Sequence, residues 1–160
     1  MTDWHDFFLG QVGASATLAG LLFVAISINL AKILENPGLP GRAAEALIVL
    51  GAVLVVSSLA LVPQPVAAVG IEAAAVSAGL WLTIVTTHAR ALRMPEARYS
   101  TRTFAIRAVL GQCATLPLLV GGILVATGAG AGRSILAAGT IVAIVVALFT
   151  SWVLLVEINR

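Results

Sequence analysis

The chain has 160 residues, 60% of them hydrophobic and only 10% charged, with nine bases against seven acids and a mean hydropathy of +1.07. Soluble domains average roughly 45–50% apolar and about 25% charged residues. So little charge excludes a disordered chain, a cytosolic enzyme and a nucleic-acid-binding domain, despite a pI near 9.3, and a single cysteine excludes an intrachain disulfide framework or a cysteine-based zinc site.

A transmembrane helix needs about 20 apolar residues to cross roughly 30 Å of hydrocarbon, and five segments reach that length. The first runs from about Phe7 to Leu34. Thr2 is placed to cap it, Asp3 and Asp6 lie near its positive end, and Trp4, Phe7 and Phe8 suit the interfacial belt. The acidic start, and an Ala14-Ser15-Ala16 triplet that precedes the apolar run, lead us to expect that this span is retained and not cleaved as a signal peptide. Gln11, Ser15 and Asn29 fall on nearly one face, and Gly13, Ala16, Gly20 and Ser27 on another. Small residues let helices approach closely. This helix is therefore expected to be central in the bundle or at an oligomer interface, its polar face satisfied by neighbouring helices.

Asn36-Pro37-Gly38 and Pro40-Gly41 break the chain before a second span of about Ala43 to Val62. Glu45 stands three residues after Arg42 at its start and reads as an interfacial charge favoured by the helix N-terminus. Pro63-Gln64-Pro65 then leads into a third span, about Val66 to Ala89. The joint is so short that either the two spans form a tight hairpin or one is partly re-entrant. Glu72, Ala75, Gly79, Thr83, Thr86, Thr87 and Arg90 share one face of the third helix. Ionisable groups inside a bilayer are costly and are candidate functional sites. Glu72, Thr83, Thr86 and Thr87 thus read either as the lining of a cation or proton path, or as a packing face whose threonines bond their own backbone. His88 reads as an interfacial histidine or a sensor near neutral pH.

The charged stretch Arg90–Arg102 precedes a fourth span, about Thr103 to Thr127, in which Pro117 should kink the helix and Cys113 reads as a small buried packing residue. Gly128–Gly132 leads to a fifth span, about Arg133 to Glu157, closed by Glu157 with Thr150 on the same stripe. Glu157 is expected to pair with Arg107 or Arg160. The apolar runs are continuous and lack the alternation of lipid-facing strands. The fold class is therefore all-α, a polytopic transmembrane bundle forming one domain over residues 1–160.

With five spans, Lys32, Arg42, Arg90, Arg93, Arg98, Arg102, Arg107 and Arg160 fall on one side and Arg133 alone on the other. Positive charge marks the cytoplasmic side, which sets the N-terminus outside and the C-terminus inside. The cluster of Arg90, Arg93, Arg98 and Arg102 reads either as topogenic alone or as a contact for anionic lipid headgroups, each basic residue contributing roughly 1 kcal/mol near the surface.

Trp4-His5-Asp6-Phe7-Phe8 and the run Gly13-Ala14-Ser15-Ala16-Thr17-Leu18-Ala19-Gly20-Leu21-Leu22-Phe23-Val24-Ala25-Ile26-Ser27-Ile28-Asn29-Leu30, with Leu39-Pro40-Gly41-Arg42, resemble a group of small bacterial membrane proteins of unassigned function. The likeness covers roughly the first third of the chain. It implies a multi-pass protein of the bacterial inner membrane and supplies no substrate or catalytic residue.

No intramembrane aspartate pair, His-Glu-x-x-His helix or diphosphate-binding acid cluster is present. We therefore expect no enzyme, no cofactor, no metal and no nucleic-acid partner. Two functions compete. One is a non-catalytic interaction or regulatory module that contacts the bilayer and assembles with itself or another membrane protein. The other is an oligomeric channel or transporter for a small ion or proton using the Glu72/Thr83 face; the chain carries no selectivity-filter motif.

Overall fold

The computed structural model describes residues 2–36, 38–93 and 101–158, with side chains for 4–36, 38–90 and 104–157. Among these residues the chain is all helical: α1 Thr2–Ile28, α2 Leu30–Glu35, α3 Leu39–Leu61, α4 Val66–Arg93, α5 Thr101–Ala126 and α6 Gly132–Ile158. Five of the helices are long and apolar enough to cross a membrane, over Trp4–Ile28, Leu39–Leu61, Val66–Arg90, Phe104–Ala126 and Gly132–Glu157. The second and third spans are each of full length, 23 and 25 residues.

The first span is shorter than its apolar run suggests. The helix stops at Ile28 because the amide side chain of Asn29 donates to the Ala25 carbonyl (2.9 Å), the acceptor that the Asn29 backbone N–H also seeks (3.3 Å). Asparagine offers the backbone such a local alternative, and the chain turns there (φ −105°, ψ 15°) before the short α2. Residues 30–34, which hydropathy assigns to the span, therefore form a separate element. At the other end of the bundle α5 closes with Gly128 at φ +75°. The Ala129 N–H donates to the Leu124 carbonyl (2.9 Å) and Gly128 N–H to that of Val125 (3.2 Å). This is the paired capping pattern that wants a left-handed residue, and glycine adopts it without a Cβ clash.

Helices α3, α4, α5 and α6 form a closed ring in which each packs on the next and α6 returns to α3; α1 lies outside, mainly against α3. On α3, Ala46, Val49, Leu50, Val53 and Val56 recur at helical spacing and are buried, meeting Ala73, Leu80 and Ile84 of α4, Ala114 and Leu118 of α5 and Ala143 of α6 in one core. The outer surface is the reverse of a soluble protein's. Phe23, Ile28, Ile71, Leu82, Val109, Val145 and Trp152 are all more than half exposed. So extensive an apolar surface belongs against lipid.

Close approach is concentrated on α5. A Cβ on Gly121 would lie 2.6 Å from the Leu136 backbone of α6, and one on Gly122 2.6 Å from the Ala74 nitrogen of α4. Two consecutive glycines thus seat two different neighbours. Of the two places expected for α1, the centre of the bundle or an oligomer interface, the first is not found: only 11% of that span's apolar window is buried in the chain, against 39% for the spans of α3 and α5, and a Cβ on Gly10, Gly13 or Gly20 would meet nothing within 4 Å. Small residues permit contact but do not supply the partner. Within this chain α1 is peripheral.

Candidate functional site: a charged cluster at one end of the bundle

The start of α3 carries two charges one turn apart, Arg42 and Glu45, which share one face by helical spacing. Because the spans run alternately up and down, this end also receives the end of α4, the start of α5 and the end of α6. Each supplies a partner. Arg42 pairs with Glu157 of α6. Glu45 is gripped from two sides, with Arg107 of α5 donating to its Oε2 (3.1 Å) and His88 Nε2 of α4 facing its Oε1 (3.3 Å). A single turn of α3 is thereby tied to every other helix of the ring.

The cluster is largely withdrawn from the surface, with side-chain exposures of 8% for Arg42, 13% for Glu45, 9% for His88 and 16% for Arg107; Glu157 is the most open at 37%. Room for the imidazole comes from a missing side chain: a Cβ on Gly111 would lie 3.2 Å from His88 Cε1 and 3.0 Å from Ile84 Cγ2. Phe104 closes the other flank, edge-on to His88 at 6.1 Å. Two helical turns beyond His88 into the membrane span, Trp81 Nε1 donates to Gln112 Oε1, a further hydrogen bond between α4 and α5 (2.8 Å).

Two grooves flank Glu45. The larger, about 190 Å³, runs between α5 and α6 and has Arg42, Glu45, Arg107 and Glu157 on its polar side. The smaller, about 70 Å³, lies between α3 and α4 and is lined by Gly41, Ala44, Ile48, Thr83, Ile84 and Thr87 as well as Glu45. Comparison with protein-family models, with curated proteins and with solved structures gives no match for this chain. What the cluster does must come from its own chemistry.

The residues singled out in sequence are dispersed. Glu72 is near the opposite end of α4, where Gln64 of the preceding turn donates to its Oε2 (2.8 Å). Thr83 donates to the Gly79 carbonyl (2.8 Å), and Thr86 and Thr87 both donate to that of Thr83 (3.0 and 2.7 Å). These three hydroxyls are spent on their own helix. Thr83 and Thr87 reach the small groove beside Glu45, so the structure brings them to Glu45 and not to Glu72. On α1, Ser15 is fully buried and donates to the Gln11 carbonyl (2.7 Å), while Asn29 bonds Ala25 as described. Both are satisfied within their own helix, where cross-helix partners were expected, because a carbonyl one turn back is always within reach. Arg90 is exposed; the side chains of Arg93 and Arg102, and all of Arg98, lie outside the described residues. Glu157, expected to pair with Arg107 or Arg160, pairs with Arg42; Arg160 lies outside the described residues.

Arg42, noted in sequence for its charge and its place three residues before Glu45, makes a cross-helix pair with Glu157 that no sequence expectation named. Its spacing from Glu45 was the available signal. Among the described residues no three of His, Cys, Asp and Glu converge as a metal-binding group. Cys113, expected to be buried, is instead exposed, on a face of α5 that turns away from the core.

Proposed function

We propose that this chain is a small non-catalytic integral membrane protein, an interaction or regulatory module that assembles with itself or another membrane protein through helix packing. Membrane residence follows from the five apolar helices. The observation that carries the rest is the contrast between a filled ring and an open α1. Val49, Leu50, Val53, Ala114, Leu118 and Ala143 pack the middle of the α3–α6 ring, and its buried charges are paired at one end. On α1, Gly13, Thr17, Gly20, Val24 and Ser27 form an exposed ridge at helical spacing, with no neighbour near either glycine. A ridge of this kind lets a second helix approach closely. The resemblance of the first third of the chain to small bacterial membrane proteins, and the clustering of bases at one end, support a bacterial inner-membrane location with the Arg42–Glu157 end in the cytoplasm and the N-terminus outside.

The test is the oligomeric state of the purified protein in detergent and in nanodiscs. A defined oligomer that Gly20→Leu converts to a folded monomer is the expected result. A wild-type monomer that captures no membrane partner overturns the proposal. The channel alternative draws on one observation, the placement of Thr83 and Thr87 beside Glu45 in the same groove. Selective ion flux through proteoliposomes, abolished by Glu72→Gln or Glu45→Gln, would establish it instead.

A further inference from the structure

The groove between α5 and α6 has no part in the module assignment, and its chemistry is specific. Its apolar walls are Ile106 and Leu110 on one side and Phe149 and Val153 on the other. Ile106 and Phe149 are each nearly half exposed, so the mouth opens sideways on the surface that faces lipid. Pockets for drug-sized ligands enclose about 300–1,000 Å³; at about 190 Å³ this one has room for a headgroup and leaves acyl chains outside along the walls.

Two guanidiniums and two carboxylates line the polar side, and their charges balance. A simple anion meets Glu45 and Glu157 as well as the arginines, and a simple cation meets Arg42 and Arg107. A ligand carrying both signs complements the site. Glu157 is the most accessible carboxylate, 37% exposed. Beside it the Thr150 hydroxyl donates to the Val146 carbonyl (2.9 Å), which leaves its oxygen lone pairs to accept. Carboxylate and hydroxyl together offer acceptors to a group with several N–H donors, which a primary ammonium has and a quaternary one lacks.

We propose that this groove binds the headgroup of a zwitterionic phospholipid bearing a primary ammonium, that is, phosphatidylethanolamine, with the phosphate beside Arg107 and the ammonium held by Glu157 and Thr150.

The test is native mass spectrometry of the full chain released from nanodiscs containing equal amounts of phosphatidylethanolamine, phosphatidylcholine and phosphatidylglycerol. Retained phosphatidylethanolamine is expected to exceed each of the others by about fivefold, the factor that one net hydrogen bond is worth. Glu157→Gln should reduce that preference to the bulk ratio. Because Glu157 also pairs with Arg42, Val153→Phe serves as the second variant: it fills the groove, keeps every charge, and should lose the bound lipid with helix content and oligomeric state unchanged. Retention in bulk proportion by the wild type, a preference for phosphatidylglycerol, or full retention by Val153→Phe each overturns the proposal. The module reading stands apart from these outcomes, since it is decided by oligomeric state.

Discussion

The two ends of the bundle hold carboxylates of the same kind in opposite circumstances. At one end Glu45 is enclosed by His88 and Arg107, side chains from two other helices separated from it by 43 and 62 residues in the chain. At the other, Glu72 is met by Gln64, eight residues away in the adjoining turn. The first arrangement fixes how distant helices meet; the second secures a local turn. An acidic residue in a membrane span is therefore informative according to how far along the chain its partner lies.

Alanine substitution at both positions is the sharpest way to break this comparison. Removing one partner of a buried ion pair leaves an uncompensated charge and costs about 3–5 kcal/mol. Glu45→Ala should lose that much in thermal unfolding followed in detergent. Adding Arg107→Met, which removes the stranded cation, should recover part of the loss; a further loss would show that the pair is not the source of the effect. Next in size is Gly122→Val, which forces a side chain against the α4 backbone. Overpacking of this kind costs about 1–3 kcal/mol, and the same unfolding assay should register it. Glu72→Ala removes one hydrogen bond to a half-buried amide and should cost about 1 kcal/mol. Parity between the alanine variants of Glu45 and Glu72 would erase the distinction between the two ends. Smallest is Thr83→Val, whose hydroxyl serves only its own helix. Its stability should stay within about 0.5 kcal/mol of wild type, and a larger change would reveal a partner outside the chain.

The spans were legible in sequence because hydropathy and length are local properties. So were the turns at Pro63–Pro65 and Gly128–Gly132, where the residues themselves forbid the helix. The stop at Asn29 was not, because nothing in a hydropathy profile registers an amide competing for a carbonyl one turn back. The charged cluster was only half visible. Alternating spans placed Arg42, His88, Arg107 and Glu157 at one end, but pairing depends on the rotation of each helix about its axis. Arg42 and Glu157 are 115 residues apart in the chain. Rotation is fixed by close packing, and the glycines that decide it, Gly121 and Gly122, look no different in sequence from the open Gly13 and Gly20.

Gly121 and Gly122 carry a mechanical consequence. Adjacent residues on a helix differ by about 100° in direction, so the two glycines press α5 against α6 and α4 at once. Turning α5 by a single residue would drive Val120 or Ile123 into a gap wide enough only for a hydrogen atom. The helix is clamped like a shaft between two bearings. Helices α4, α5 and α6 must then shift as one slab, and the lightest seam of the ring is the one between α3 and α4.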